Sequence, residues 1–411
     1  MAVETLPPRS DEQRGERNLY IARNPFEFVD SFSNAARKAG EGDFVFAQSM
    51  RSAFCDPFAE MVSAMEQAHN QGAKAEYHTD VLSKQSGESY FDLLKLPGPK
   101  RDAAIAKLQA QNAFFAQMPS RGIDTVFTNI PKNAMLKMVS IFGKNHIKVA
   151  GVVYKDHPED SVVWIGGVNF FDTCFEATDV MVETKNPKAV EEIGKIFTEI
   201  DSHKPTKDRR VALDTDTELL VSAGKPFTDI IIDDAVELIN AAQHNILISS
   251  PILTDGRVQK ALERKAGEGV KIDNVTQILM PATEHFEAMT FRMSEVFMRL
   301  RGYDRKVNVY FHNKTLHLKC IVADGRYAIV GSDNFSVKGP TLSTQEAALK
   351  TRDPQLVATL AKTIEDTIDN STKVENVPVA GPSEIFSYAK HVVSQKIKKG
   401  FANEVHMDLV V

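Results

Sequence analysis

Two polar residues interrupt an apolar stretch in the last third of the chain. His317 and Lys319 stand two positions apart in a run that reads H-x-K-x4-D, ends at Asp324 and continues as G-S-x-N over 331–334. In an extended strand, residues two apart project from the same face. An imidazole beside an ammonium group suits phosphate chemistry, because one can attack or carry a proton while the other holds negative charge.

The first half of the chain holds a counterpart of this run. His146 and Lys148 are also two apart, and G-G-x-N follows over 166–169. A helical pattern followed by an apolar strand also occurs twice, over 32–46 and 239–248. Self-similarity of this kind indicates an internal duplication. The alternation of helices and strands predicts a parallel or mixed sheet.

The two halves differ in length between these landmarks. Asn34 and Asn240 mark equivalent helices, and the distance to His146 is 35 residues longer than the distance to His317. We assign the extra residues to an apolar-rich insertion at about 83–120. Such an insertion could be a lid or substrate wall, or a helical hairpin that only packs on its domain.

Composition limits the possible classes of protein. A chain of 411 residues with 43% hydrophobic composition can bury one or two cores, and two domains are expected. The net charge of −6 gives no overall attraction for a polyanion, which weakens a nonspecific DNA-binding role. Cys55, Cys174 and Cys320 are far apart and lack metal-ligand spacing, so we expect reduced thiols and no metal site.

The order of these patterns predicts the domain organisation. The expected segments are a disordered leader (1–19), a first domain (20–201), a linker (202–225), a second domain (226–375) and a C-terminal helical tail (376–411). No stretch approaches the roughly 20 apolar residues of a membrane-spanning helix. We therefore expect a cytoplasmic protein, peripheral at most to a membrane. The basic amphipathic pattern at 383–400 could rest on an anionic membrane or dock on the protein.

With these two motifs the chain resembles the phospholipase D superfamily, in which two H-x-K-x4-D copies face each other across a pseudo-twofold axis. The resemblance covers roughly residues 20–375. The segment W-I-G-G-V-N-F at 164–170 resembles the first motif of cardiolipin synthases and related phosphatidyltransferases. The resemblance implies an α/β fold of two phospholipase D-like sandwich domains related by pseudo-twofold symmetry.

The resemblance also implies a mechanism that needs no cofactor and no metal. One histidine attacks phosphorus and forms a phosphohistidine, while the other protonates the leaving group and then activates water or an alcohol. By analogy, His146 is the expected nucleophile. The residues expected to hold the phosphate oxygens are Lys148, Lys319, Asn169, Asn334, Ser332 and Gly167.

A nucleophilic histidine needs a carboxylate that fixes its tautomer and supports its positive charge. Members of the family place an acid shortly after the motif asparagine. In the second half this acid is Glu346, which we expect to orient His317. In the first half it is Asp179, expected to orient His146, with Glu176 as the substitute.

The first motif departs from the family pattern at its last position. Val153 stands where the second motif has Asp324, and Asp156 and Asp160 follow in a polar turn. We expect a longer hairpin turn to have displaced the aspartate. In the family this aspartate is a structural brace more than a reacting group, so activity is expected to survive.

Three functions agree with these features. The leading one is a phospholipase D or cardiolipin-synthase-like transferase that acts on phospholipid at a membrane surface, with water or a small alcohol as acceptor. The alternative is a metal-independent phosphodiesterase acting on nucleic acid, which the absence of a basic stripe disfavours. The third is a catalytically weakened binding protein of the same fold. No obligate protein partner is inferred.

Overall fold

The computed structural model describes residues 19–80, 98–128, 144–201, 207–224, 229–277, 306–336 and 344–374. Within these ranges the chain forms two mixed sheets flanked by helices. Nearly all of the expected leader and the tail from 376 onward lie outside the described residues. No helix in these ranges is long and apolar enough to cross a membrane.

The first half folds around a seven-stranded sheet of order β1-β8-β7-β6-β2-β3-β4. Its strands are β1 (Tyr20–Arg23), β2 (Phe44–Ser49), β3 (Lys74–Asp80), β4 (Ile123–Thr128), β6 (Val149–Val153), β7 (Val162–Gly166) and β8 (Met181–Thr184). The short β5 (Lys144–Asn145) pairs instead with the other sheet. The helices of this half are α1 (Pro25–Ala36), α2 (Asp56–Asn70), α3 (Gly98–Gln117), α4 (Asp172–Phe175) and α5 (Pro187–Asp201).

The second half folds around a sheet of order β17-β13-β12-β11-β14-β15-β16-β10-β9. Its strands are β9 (Arg209–Ala212), β10 (Thr217–Ser222), β11 (Asn245–Ser249), β12 (Lys271–Gln277), β13 (Asn308–His312), β14 (Cys320–Ala323), β15 (Tyr327–Gly331), β16 (Thr344–Thr351) and β17 (Ser371–Lys373). Its helices are α6 (Ile230–Ala241), α7 (Gly256–Gly267) and α8 (Pro354–Asp369).

The two sheets share one topology. The series β1-β8-β7-β6-β2-β3-β4 corresponds strand by strand to β10-β16-β15-β14-β11-β12-β13, and each contains three neighbouring parallel strands. The second sheet adds β9 and β17 at its edges. The expected α/β fold is confirmed, and the equal strand order agrees with a duplication.

The sequence specifies the starts of two helices, α1 after β1 and α7 after β11. Asn24 caps α1 in a capping box with Glu27, and Pro25 occupies the first helical position. Asp255 caps α7 by accepting from two backbone N–H groups. These capping residues fix where α1 and α7 begin.

One apolar core lies between the halves and two lie on the outer faces. The shared core contains side chains from both sheets together with α5 and α8, for example Phe46, Phe197, Val322 and Leu360. The outer core of the first half lies under α1 and α2, and that of the second under α6 and α7. Strands buried on both faces hold the histidine segments rigidly.

One detail of the predicted organisation differs in the described residues. The described part of the linker, 207–224, contains β9 and β10 of the second sheet.

The described part of the predicted insertion packs on its domain. Phe114 and Phe115 at the end of α3 are buried, and both rings contact Phe58 of α2. Gln111 donates to the carbonyl of Ser52. This agrees with a packed helix. The stretch 83–97, where a lid was also considered, lies outside the described residues.

Candidate active site

The two halves meet where the histidine segments begin. The β5 strand pairs in parallel with β16, and the His146 N–H donates to the Gln345 carbonyl at 2.9 Å. In the second half, Leu316 forms a bridge with Thr178, and the His317 N–H donates to the Thr178 carbonyl at 3.0 Å. Each histidine is therefore attached by its own backbone to the opposite half.

These contacts bring each histidine against a carboxylate of the other half. Nδ1 of His146 lies 2.9 Å from Oε2 of Glu346, and Nδ1 of His317 lies 2.7 Å from Oδ2 of Asp179. The expected pairing within each half is wrong, because the residue just before each carboxylate is bonded to the histidine of the opposite half. Glu176, the expected substitute, is exposed at the end of α4.

The pairing with carboxylates sets the state of both imidazoles. An ionised carboxylate only accepts hydrogen bonds, so each Nδ1 carries the proton and each Nε2 keeps its lone pair. The pKa of His146 is lowered to about 3 and that of His317 to about 4, mainly by burial; nearby ammonium groups contribute to the lowering, and the carboxylates oppose it. Both rings are neutral at neutral pH.

The two lysines lie behind the histidines and have no exposed surface. Nζ of Lys148 donates to the His146 carbonyl at 2.6 Å, and Nζ of Lys319 donates to the His317 carbonyl. The pKa of Lys148 is lowered to about 7, mainly by burial and in smaller part by the charge of Lys319. Burial also lowers the pKa of Lys319 to about 8. A bound anion would favour the charged form of both.

Glu346 is held in place by hydroxyl groups. Ser332 Oγ donates to its Oε2, and Thr344 Oγ1 donates to its Oε1 at 2.8 Å. The backbone N–H of Ala347 donates in turn to Ser332 Oγ at 3.1 Å. Ser332 therefore positions the carboxylate, whereas the sequence had predicted that it binds phosphate.

Asp179 is held by a hydrogen bond from the backbone and by its close approach to Gly167. The Val180 N–H donates to its Oδ1 at 2.8 Å. A Cβ added at Gly167 would lie 2.4 Å from the same oxygen, so a glycine is needed there. The Gly167 N–H donates to the Val180 carbonyl at 3.2 Å and is thus used within the fold, contrary to its expected role in phosphate binding.

The two motif asparagines differ in their contacts. Oδ1 of Asn169 accepts from Ser49 Oγ at 3.2 Å and from the Arg51 N–H at 3.3 Å, which leaves the amide nitrogen as the group that could donate to a phosphate. The Asn334 carbonyl accepts from Ser250 Oγ at 2.7 Å. The side-chain Oδ1 of Asn334 is buried without a hydrogen-bond partner among the described residues.

Asp324 lies at the end of β14 that is remote from His317. Its carboxylate accepts from the N–H groups of Gln243, His244 and Asn245 at 2.8, 2.8 and 3.0 Å. It therefore joins the end of β14 to the start of β11. This geometry is that of a structural brace and places Asp324 away from the reacting groups.

The first half has its brace on the neighbouring strand. Val153 is the last residue of β6, and Oδ1 of Asp43, just before β2, accepts from the Lys155 N–H at 2.8 Å. The brace thus comes from Asp43 and not from Asp156 or Asp160, as had been expected. No pattern in the H-x-K motif points to Asp43, because it precedes His146 by most of the domain.

Comparison with known proteins supports the same fold. A family profile described as "Cardiolipin synthase, PLD-like domain" matches residues 235–368. The chain is similar in structure to a phosphatidylserine synthase of Haemophilus influenzae Rd KW20, with TM-score 0.64, 12% identity, and coverage of 93% of this chain and 94% of that one. It is also similar to a polyphosphate kinase of Porphyromonas gingivalis, with TM-score 0.54, 17% identity, and coverage of 92% and 53%. No curated protein matches the chain in sequence.

Proposed function

We propose that this chain, whose residues 235–368 match the profile of a PLD-like domain, acts as a member of the phospholipase D superfamily and hydrolyses or transfers the phosphatidyl group of a phospholipid through a phosphohistidine. The observation that carries the proposal is the pair of crossed dyads, in which His146 is bonded to Glu346 and His317 to Asp179. Each ring presents an unprotonated Nε2 beside a buried ammonium group. Cleavage of a stable, anionic phosphodiester requires these two groups, a nucleophile and a positive charge.

In the first step, Nε2 of one histidine attacks phosphorus. A P–N bond forms, the P–O bond to the leaving alkoxide breaks, and the other imidazolium gives its proton to that alkoxide. Lys148 and Lys319 neutralise the nonbridging oxygens, and Asn169 donates from its amide nitrogen. The carboxylate behind the attacking ring supports the positive charge that develops there.

In the second step, the other histidine, now neutral, takes a proton from water or a small alcohol. The resulting oxygen nucleophile attacks phosphorus, and the P–N bond breaks. Water gives hydrolysis and an alcohol gives phosphatidyl transfer. Because both rings are neutral in the free protein, the anionic substrate must raise the pKa of the acid histidine when it binds.

We assign the nucleophile to His146 and the acid–base role to His317. The side chain of His146 is 8% exposed and that of His317 is 18% exposed. The group that accepts a proton from an incoming water or alcohol needs access to solvent, whereas the nucleophile does not.

The test of the reaction is turnover of phosphatidylglycerol vesicles, with single-stranded DNA in parallel, in buffer containing a chelator. We expect lipid turnover that is lost in His146→Gln and His317→Gln, with His157→Gln as the control because its side chain is 75% exposed. Cleavage of DNA without lipid turnover would replace the proposal with the nuclease function.

The test of the nucleophile is acid quenching of the protein during turnover of phosphatidyl-p-nitrophenol, followed by peptide mapping. p-Nitrophenolate leaves without protonation, so His317→Gln should accumulate a phosphatidyl group on His146. A label found on His317 in the His146→Gln variant would reverse the assignment.

A further inference from the structure

The second motif contains a buried carboxylate that the proposed reaction does not use. Asp333 lies between Ser332 and Asn334 and is 1% exposed. The Gly331 N–H donates to the Lys319 carbonyl at 3.3 Å, which places Gly331 opposite Lys319 in the paired strands. Because residues two apart in an extended chain share a face, Asp333 lies on the face of the sheet that carries the Lys319 side chain.

The first motif has an apolar residue at this position. The Gly166 N–H donates to the Lys148 carbonyl at 3.3 Å, so the register around Lys148 is the same. Val168, two residues after Gly166, is buried in the outer apolar core of the first half. The carboxylate of Asp333 is therefore specific to the second half.

The Asp333 carboxylate is fixed by the backbone of its own loop. The Phe335 N–H donates to its Oδ1 at 2.7 Å, and Phe335 is itself buried in the outer core of the second half. A carboxylate that accepts from the N–H group two residues later forms an Asx turn. The amide oxygen of an asparagine can accept the same bond, so the charge can be removed while the turn is kept.

The charged groups around the two lysines are nearly the same in both halves. Burial is the main cause that lowers the pKa of Lys148 and of Lys319. The neighbours that oppose this lowering at both lysines are Glu346, Asp179 and Cys174. Asp333 adds to them at Lys319 by raising its pKa, and the charge of Lys319 in turn lowers the pKa of Lys148. The difference between Asp333 and Val168 thus separates two otherwise similar lysines.

We infer that Asp333 is a positioning residue that keeps the Lys319 ammonium charged while the site is empty and makes the two lysines unequal. Lys319 then meets the incoming phosphodiester as a preformed cation, whereas Lys148 gains its full charge only when the anion is bound. This inference rests on the proposed function and deepens it, because it assigns the first contact with the phosphate to the second half.

The protonation of both lysines can be followed in the free protein by NMR titration with lysine labelled with carbon-13 at Cε. Lys148→Met and Lys319→Met assign the two signals. In the wild type, Lys319 should lose its proton at a higher pH than Lys148. Asp333→Asn should lower the Lys319 midpoint by about one pH unit, the effect of removing a neighbouring opposite charge. An unchanged Lys319 midpoint in Asp333→Asn overturns the inference.

The pH profile of turnover tests the consequence for the reaction. With dihexanoyl phosphatidylglycerol, the alkaline fall of kcat/KM should begin about half a pH unit or more lower in Asp333→Asn, because kcat/KM reports the ionisations of the free protein. The fall of kcat should move less, since the bound phosphodiester holds both lysines in their charged form. Equal profiles of kcat/KM for Asp333→Asn and the wild type count against the inference.

Two further variants separate charge from structure. Asp333→Val copies the first half and removes both the charge and the Asx turn, so it should shift the Lys319 midpoint and also lower the thermal midpoint of unfolding. Asp273→Asn removes another buried carboxylate of the same half, which accepts from Asn308, and it should leave both lysine midpoints unchanged. If only the thermal midpoint responds to Asp333→Val, the role of Asp333 is structural and the inference fails.

The NMR titration requires no substrate and therefore separates this inference from the proposed reaction. If no lipid is turned over but the Lys319 midpoint falls in Asp333→Asn, the proposed function fails and the role of Asp333 stands. If lipid is turned over and neither the midpoint nor the alkaline limit responds to Asp333→Asn, the proposed function stands and the role of Asp333 is refuted.

Discussion

The two halves of this protein keep the same strand order and the same histidine–lysine pair but support them with different residues. Behind the second-half carboxylate Glu346 stands Ser332, which donates to it. Behind the first-half carboxylate Asp179 stands Gly167, which leaves room for it. A shorter acid needs its backbone closer, whereas a longer acid needs a side chain that holds it.

The braces at the opposite ends of the strands show a similar exchange. Asp324 lies after β14 in the second half, and Asp43 lies before β2 in the first. Each carboxylate joins the end of a motif strand, β14 or β6, to the start of the neighbouring strand, β11 or β2. The loss of a motif residue, here at Val153, therefore need not mean the loss of its contact.

The largest effect is expected when the carboxylates of the two halves, Asp179 and Glu346, are replaced by amides. Asp179→Asn and Glu346→Gln should each lower kcat by about a thousandfold or more, the scale of a carboxylate that fixes a catalytic histidine. With phosphatidyl-p-nitrophenol and acid quenching, Asp179→Asn should accumulate phosphohistidine on His146, because only the base that activates water or alcohol in the second step is impaired. Glu346→Gln should prevent its formation.

The control for this pair is Glu176→Gln, which changes an exposed carboxylate on the same loop and should leave kcat unchanged. Accumulation of phosphohistidine on His146 in Glu346→Gln, and not in Asp179→Asn, would show that each acid acts on the histidine of its own half.

The sequence predicted the histidines, lysines and both carboxylates because motif spacing within a strand is local information. It could not predict which acid serves which histidine, since that depends on how β5 and β16 pair across the halves. It also misplaced the roles of Ser332 and Gly167, whose motif positions look like phosphate ligands but whose neighbours come from a later strand. The alternation of apolar patterns that predicted two α/β halves is also local information. The strands β9 and β10 were not predicted, because they are short and lie in or beside a charged stretch.

The contrast between Gly167 and Ser332 gives a second prediction. Gly167→Ser puts a Cβ 2.4 Å from Asp179 Oδ1, so the carboxylate must move away from His317. We expect kcat to fall by about ten- to a hundredfold, the effect of misplacing a catalytic group by about an ångström. Ser332→Gly removes a hydrogen bond without a clash and should cost about tenfold or less.

Thermal unfolding of both variants separates geometry from folding. Equal midpoints with unequal kcat support the difference between the halves. If Gly167→Ser retains wild-type kcat, the first-half carboxylate does not need the space.

The buried neutral imidazoles predict how stability depends on pH. The ordinary pKa is 6.5, and the folded values are about 3 for His146 and about 4 for His317, so below pH 6.5 the unfolded chain binds more protons. The free energy of unfolding therefore falls as pH drops from 6.5. Between pH 6.5 and 4.5 each histidine should contribute about 2 kcal/mol of this loss.

Urea unfolding at pH 6.5 and 4.5 measures this contribution. His146→Gln and His317→Gln should each flatten the decline, whereas His157→Gln, at an exposed position, should not. A decline that is the same in all four proteins would contradict the neutral, buried state of the rings.

The smallest expected effects come from the braces. Asp324 has φ of 54°, a conformation that Asn tolerates well, so Asp324→Asn should keep the turn and weaken three charge-assisted bonds, at about 2 kcal/mol. Asp43→Asn weakens two, to Lys155 and Gly40, and should cost about 1 kcal/mol. Unfolding in urea at neutral pH measures both.

Neither brace variant should change kcat, because Asp324 and Asp43 lie at the strand ends remote from the histidines. Adding Val153→Asp to Asp43→Asn should not restore stability, because residue 153 continues β6 opposite Phe44 of β2, whereas Asp324 at the matching position leaves its strand with φ of 54°. Full restoration by Val153→Asp would mean that the motif position itself holds the brace in both halves. Failure of restoration, with kcat unchanged, means that the first half has moved this contact to its neighbouring strand without cost to the site.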